Sequence, residues 1–478
     1  MNNINSLDEK IKRTFPEEAV YKTQKRYSIF AGKKIPSFIK DWLIKKFTDD
    51  NGNIDNNGLL LFMNKHIPLK DFETKSRLVN NKEPITILTR LIIEPDVQAG
   101  YLKFSIPDLK IKFNEGRIQP YIAKKFPELQ GNEVWGVVTL DYSPPSGKDK
   151  GIIEIVDYKP FKPYEIDIEY FISIRNEYTI NEWVDLLIRT LEYNPSGFDS
   201  LTQKLLFISR ILVFVEPNLN LIELAPKQTG KSYIFTNFSQ YCWTISGGVV
   251  SRTKLFYDMN KKISGLVTKH DVIAMDEIKT IKFTDEAELL GALKNYLESG
   301  VFTVGDFRGT GNTSFILLGN IPLNSELKPI KKQFLEGLPK FFNDSALLDR
   351  FHGFIEGWRL PKIKEDLIIN GYALNIEFFT EVLHELRDNG EYESIVDDLL
   401  DIPIKADRRD VTAIKRMCSG YLKLLFPNVT KVCNINLDEF KNFCLNLALE
   451  KRSIIRNQLY LMDDEFKPEM PNIDIKRI

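Results

Sequence analysis

Leu221-Ile222-Glu223-Leu224 is a short apolar strand that runs into Ala225-Pro226-Lys227-Gln228-Thr229-Gly230-Lys231-Ser232, and a helical pattern follows. The octapeptide has the phosphate-loop form GxxxxGK[ST], with Ala225 where the first glycine usually stands. Backbone N–H groups of such a loop, and the start of the helix after it, face phosphates. Lys231 is then placed to reach the β- and γ-phosphates of ATP, and Ser232 to hold Mg²⁺. Alanine at the first position demands a loop that tolerates a Cβ. Alone, the octapeptide is a modest signature.

A second apolar strand, Asp271-Val272-Ile273-Ala274-Met275-Asp276-Glu277, ends in two acids, with Asp276 lying 45 residues after Lys231. A buried strand of this kind delivers Asp276 to the metal beside Ser232. Glu277 follows where it can orient and deprotonate an attacking water. A core strand that simply ends in surface acids is the plainer alternative. A third apolar strand, Ser314-Phe315-Ile316-Leu317-Leu318-Gly319-Asn320, ends in an amide. Ligands of open α/β sheets sit at that end of the strands, so Asn320 is a candidate for the γ-phosphate or the water; a turn asparagine ahead of Pro322 is the alternative. Asp344-Ser345-Ala346-Leu347-Leu348-Asp349-Arg350 reads as a capped helix ending in a cation. Arg350 is either a cation settled on a helix C-terminus or an arginine finger acting on a neighbour's ATP.

These motifs need a framework, and the chain is long enough to supply one. Its 478 residues exceed one core and suggest two to four domains. With 43% hydrophobic and 27% charged residues, the composition is that of a soluble globular protein. The net charge of −1 does not itself point to nucleic acid, but residues 1–48 hold 11 Lys/Arg against 5 Asp/Glu. That local excess hints at polyanion binding, or at a solvated helical face. There is no apolar run of membrane-spanning length and no signal pattern at the start, so a cytoplasmic protein without a membrane role is expected. Cys242, Cys418, Cys433 and Cys444 have no CxxC spacing, and no zinc site is expected.

Residues 1–80 read as a helical segment, with Phe38, Ile39, Trp42, Leu43 and Phe47 forming an apolar stripe. Residues 81–165 change to short alternating strands separated by turns, the pattern of a small barrel, with an OB-like, DNA-holding barrel one candidate. Many small barrels bind nothing. A helical linker over 166–199 leads to an α/β core over 200–365, a helical lid over 366–455 and an extended tail over 456–478.

The ordered set of motifs resembles the Lon-protease-like ATPases of bacterial BREX phage-defence systems, the BrxL family. The residues that carry the likeness are Ser246-Gly247-Gly248, Leu255-Phe256-Tyr257, Met275-Asp276-Glu277 and Tyr296-Leu297-Glu298-Ser299-Gly300. It continues through Gly319-Asn320-Ile321, Asp344-Ser345-Ala346, Leu348-Asp349-Arg350, Arg409-Asp410 and Ser419-Gly420-Tyr421. The resemblance implies an AAA+ fold similar to MCM-type helicases, rings around DNA and an N-terminal part that helps bind it. It makes Asn320 sensor 1, Arg350 the finger and Arg409 the sensor-2 candidate, with Arg408 an adjacent alternative. It also implies that the strand-like stretch from Val301 to Thr313 is a pore hairpin, with Arg308 aimed at a DNA phosphate; an ordinary surface hairpin is the alternative. Longer members of the family continue into a Lon-like protease domain; this chain stops at Ile478, so proteolysis is not expected.

The expected protein is therefore an α/β P-loop ATPase of AAA+ type with a helical lid, binding ATP and Mg²⁺. It is expected to form a hexamer or a dimer of hexamers on duplex or single-stranded DNA, with other defence-system proteins as further partners. A protein-remodelling ring and a slow nucleotide-gated scaffold or clamp remain as alternatives. An aromatic pore loop would favour remodelling, and Phe307 beside Arg308 leaves that open.

Overall fold

The computed structural model describes residues 2–476 apart from 34, 50–51, 68–70, 97–98, 131–132, 148–149 and 261. Two compact units divide the chain. One comprises Met1–Ser28, Pro36–Asp41 and Ile166–Ile478; the other comprises Ile29–Ile35 and Trp42–Glu165.

In the smaller unit five strands close a barrel: β1 (Ile85–Asp96), β2 (Tyr101–Ser105), β3 (Gly116–Ile118), β4 (Glu133–Ser143) and β5 (Ile152–Pro160), in the order β1-β2-β3-β5-β4. Neighbours are antiparallel except β3 and β5, which run parallel. Side chains alternate across each strand. The inward set, including Ile87, Leu91, Phe104, Ile118, Val138, Leu140 and Ile155, fills the barrel. Gly136 sits where a Cβ would lie 2.3 Å from the Tyr158 ring.

The larger unit is a five-stranded parallel sheet clad in helices. Along the chain follow α1 (Ile180–Thr190), β6 (Leu221–Ala225), α2 (Lys231–Asn237), β7 (Cys242–Val250), β8 (Val272–Phe283) and α3 (Glu286–Ser299). Next come the hairpin β9 (Val301–Val304) and β10 (Phe307–Thr310), then β11 (Ser314–Asn320), α4 (Ser345–Leu348), β12 (Gly353–Glu356), α5 (Ile376–Arg387), α6 (Arg408–Leu425) and α7 (Asn446–Met462). The sheet order is β12-β6-β11-β8-β7, every pair parallel. β6 is buried along its whole length, as a central strand covered on both faces must be. The expected mixed α/β architecture with a small barrel toward the N-terminus is thus present.

Two long-range features escaped the helical periodicity of the first residues. Ala19–Lys22 is a strand paired antiparallel with Gly371–Leu374. Beside it Lys22 and Asp41 form an ion pair of 2.7 Å, both side chains almost wholly buried. Part of the early basic excess is also neutralised, since Lys10 pairs with Glu182 and Arg13 with Glu177. Among the described residues no helix is long and apolar enough to cross a membrane.

Candidate functional site

The loop between β6 and α2 departs from ordinary backbone at two points: Gln228 has φ +68° and Gly230 φ +76°. The first is uncommon for a residue with a side chain. Gly230 has no room for a Cβ, because it would fall 2.1 Å from the Tyr193 hydroxyl. The loop is held from beneath by two groups that fold back on it. Ile363 N–H donates to the Gln228 carbonyl at 2.8 Å. Arg210, wholly buried, donates from Nη1 to the Thr229 carbonyl at 2.9 Å and grips Glu223 of β6 through Nε at 2.9 Å and Nη2 at 2.5 Å. A lone acid in an apolar strand was the one signal from which this buried cation could have been inferred.

Ala225, in place of the usual glycine, is fully buried and faces Gly357. A Cβ on Gly357 would lie 2.4 Å from that of Ala225. The missing Cβ opposite is what makes room for the alanine methyl.

Lys231 is buried, and its ammonium donates to Asn320 Oδ1 at 2.8 Å and, at 3.5 Å, to the Pro226 carbonyl. The register explains the first contact: Asn320, the last residue of β11, is paired with Ala225, the last of β6. Among the described residues no carboxylate oxygen is within ion-pair distance of Lys231, and burial lowers its pKa. A desolvated cation with neutral partners in a loop of exposed backbone suits an anion. Ser232 is half-buried at the start of α2; Lys227 and Gln228 are exposed.

β8 lies beside β11, so Asp276 reaches the same sheet edge. Asp276 is buried and accepts the Glu277 N–H at 2.9 Å. Glu277 has φ +48° and is exposed. β8 does not stop at these acids as the apolar pattern implied. It continues to Phe283, but its pairing with β7 breaks after Asp276 and resumes at Ile281. The turned-out backbone at Glu277 falls inside that irregularity, a place where local strain is tolerated for a side chain's sake. Lys231, Asn320, Asp276 and Glu277 therefore share the C-terminal edge of the sheet.

Arg350 and Arg409 do not join them. Arg350 precedes β12, whose first residue, Gly353, pairs with the first residue of β6. The arginine is thus at the N-terminal edge, across the five residues of β6 at roughly 3.3 Å each. Its Nε is 2.9 Å from Glu298 Oε2. Arg409, in the first turn of α6, donates to the same oxygen at 3.3 Å and to Asp349 Oδ2 at 2.8 Å. Asp349 is also held by the buried Arg452 at 2.6 Å. Burial, then the positive charge of Arg409, lowers the pKa of Arg350. Arg408 is exposed.

β9 and β10 form a two-residue hairpin with Gly305-Asp306 at its tip and Gly305 at φ +57°. Arg308 is exposed on it, without an ion pair among the described residues. Phe307 instead turns inward, stacked on Tyr257 at 3.7 Å. On the barrel, Arg90 and Arg117 are paired with Glu133 and Glu154. Among the described residues no cluster of His, Cys, Asp and Glu could hold a metal by itself.

Comparison with known proteins gives the same ordering of parts. Residues 153–472 match the family described as Lon-like protease BrxL-like, ATPase domain. Residues 13–142 match BREX system Lon protease-like protein BrxL N-terminal. The chain is similar to the Lon-like protease BrxL of Escherichia coli O9:H4 (strain HS), 26% identical over 433 residues that are 90% of this chain and 61% of that protein. It is 27% identical to the Lon-like protease BrxL of Bacillus cereus (strain H3081.97) over 406 residues, 83% of this chain and 59% of the relative. The chain thus spans about three fifths of the length of these curated relatives.

Proposed function

The chain belongs to the BrxL-like ATPase family of BREX systems, and from that membership we propose that it is a ring-forming AAA+ ATPase that hydrolyses ATP and acts on DNA in antiviral defence. The observation that carries the reading is the bond from Lys231 to Asn320, made where three parallel strands deliver Lys231, Asp276 and Asn320 to one edge. The order β12-β6-β11-β8-β7 supports the AAA+ assignment, because it sets the strand bearing Asn320 between those bearing the phosphate loop and the acids.

The backbone of 225–230, Lys231 and Ser232 would hold the phosphates, and Ser232 with Asp276 would hold Mg²⁺. Bound Mg²⁺-ATP would supply the phosphoryl group, the metal offsetting part of its charge. Lys231 leaves its amide partner for the phosphates, and Asn320 is freed to orient water. Glu277, exposed at the turn, takes the water's proton. Arg350 and Arg409 stand at the opposite edge and act on the nucleotide of an adjacent subunit, so the complete site requires a ring. Hydrolysis by electrostatic stabilisation is the chemistry these residues can perform.

The strand order of the barrel, with its one parallel closure, supports an OB-type module. DNA is favoured over a threaded polypeptide by one feature: Phe307 is stacked away on Tyr257, while Arg308 is the exposed side chain of the pair. The test is ATP turnover with and without DNA. Turnover that DNA stimulates and that Lys231→Ala abolishes is expected. Turnover unchanged in that variant refutes the site; turnover indifferent to DNA refutes the DNA reading.

A further inference from the structure

Another buried cation, Arg175, lines a cavity of its own. The cavity, about 250 Å³, lies between the segment 175–180 and the segment 426–440 that follows α6. Arg175 is 5% exposed. Its Nε donates to the Leu425 carbonyl at 2.7 Å and Nη1 to the Tyr178 carbonyl at 2.7 Å. Trp183 and Phe426 cover its faces. No carboxylate is within ion-pair distance among the described residues, and Nη2 makes no hydrogen bond to them. A buried guanidinium is ordinarily paired. Burial pushes this one down to about 10, with only the more distant charge of Glu439 working the other way.

Asn428, also in the lining, donates its amide to Asn176 at 2.7 Å. The cavity therefore offers an unpaired cation, and Phe426, Ile435 and Phe440 supply apolar walls. Its charged groups are one guanidinium and one carboxylate, Glu439, with no lysine. With both ionised the lining is neutral, so a monocarboxylate leaves one negative charge in excess and a phosphate dianion two, which favours the carboxylate. The planar guanidinium edge matches a carboxylate.

We propose that this cavity binds the carboxylate of an apolar residue, as found in an N-acylated amino acid or at the C-terminus of a polypeptide. The carboxylate meets Arg175, and the side chain enters among Phe426, Ile435 and Phe440.

The test uses the full chain and three probes: N-acetyl-leucine, N-acetyl-Gly-Gly-Leu, and the same tripeptide with a C-terminal amide. Saturation-transfer NMR and thermal shift report binding. The acid tripeptide is expected to bind at least about tenfold tighter than the amide, since only the acid forms the charge-assisted pair. Glu439→Gln should tighten the acid by about threefold, because it removes a like charge. Arg175→Gln should abolish binding, but Arg175 also ties backbone carbonyls. The amide and Glu439→Gln therefore carry the test if that variant fails to fold. Tighter binding of the tripeptide than of N-acetyl-leucine supports the proposal with a chain terminus as source; equal binding supports it with a small acid. Acid and amide binding alike, or no saturable binding to folded wild type and folded Glu439→Gln, overturns it.

Discussion

Arg350 and Arg409 are held by one carboxylate oxygen: Glu298 Oε2 is 2.9 Å from Nε of the first and 3.3 Å from Nε of the second. The two cations, 59 residues apart in sequence, thus form a unit at the N-terminal sheet edge, opposite Lys231. Two guanidiniums kept close by a surface acid repel one another and gain when a more charged anion displaces it. In the proposed ring, that anion is the neighbour's phosphate.

Both arginines are therefore expected to fail in the same way. Arg350→Ala and Arg409→Ala should each retain ATP binding and lose turnover, the finger by roughly 10³–10⁵-fold. Nucleotide binding by fluorescence and turnover by phosphate release separate the two effects. An Arg409→Ala variant that hydrolyses normally shows that only Arg350 of the pair acts.

Glu277→Gln should hold Mg²⁺-ATP yet not hydrolyse it, because Asp276 is left in place to hold the metal. Glu277→Gly is a useful companion, since glycine suits the φ of +48°. It should be no less stable than wild type and equally inactive. Turnover by either variant removes Glu277 from the mechanism.

The alanine in the phosphate loop gives a prediction about packing. Gly357→Ala should destabilise the core by about 1–3 kcal/mol and weaken ATP binding, since two methyl carbons cannot lie 2.4 Å apart. Ala225→Gly combined with Gly357→Ala should recover part of both, since Glu223 Oε1 would still lie 2.9 Å from the added Cβ. Absence of recovery in the double variant, measured by thermal melting, means that Gly357 is needed for another reason.

The fold was legible where local pattern decides it. The apolar strand before the octapeptide, the apolar strand reaching Asp276, though it runs on to Phe283, and most of the alternating stretches within 81–165 correspond to observed strands. What was not legible depends on residues far apart in sequence. Nothing at Ala225 names Gly357 as its partner, and nothing at Ala19–Lys22 names Gly371–Leu374. Glu298 stood within the stretch Tyr296–Gly300 with no role of its own, and only the fold sets it between two arginines. Glu277 was read as a strand end, because a positive φ leaves no trace when the residue is not glycine or asparagine. Arg175 and Asn428 carried no motif at all.

Buried acid chemistry in α5 predicts a pH response. Glu377 is wholly buried, one of its oxygens has no partner, and burial, then Glu381, holds its carboxyl well above the usual carboxylate range. An acid whose folded pKa is raised keeps its proton in the fold and loses it on unfolding. The linked stability is full below the unfolded value and falls as pH rises from there toward the folded pKa. Glu377→Gln should therefore leave the melting temperature nearly unchanged at pH 5 and raise it at pH 8. An equal effect at both values contradicts the assignment.

DNA binding, if it runs through Arg308, should be tolerant of sequence, and log affinity should fall linearly with log salt. Arg308→Ala should reduce the salt slope by about 1 and lower DNA-stimulated turnover more than basal turnover. An unchanged slope places the contact elsewhere.

The central claim is that the catalytic site is completed across a subunit boundary, and one mixing experiment addresses it most directly. Lys231→Ala keeps its arginine pair and lacks the phosphate loop; Arg350→Ala has the converse defect. Each alone should be inactive. When the two are mixed under conditions in which doping with wild type shows subunit exchange and tolerance of inactive neighbours, some interfaces pair an intact loop with an intact arginine. Turnover should then rise well above the sum of the separate preparations. A mixture that stays inactive under those conditions, or an Arg350→Ala protein that hydrolyses ATP normally alone, contradicts the account.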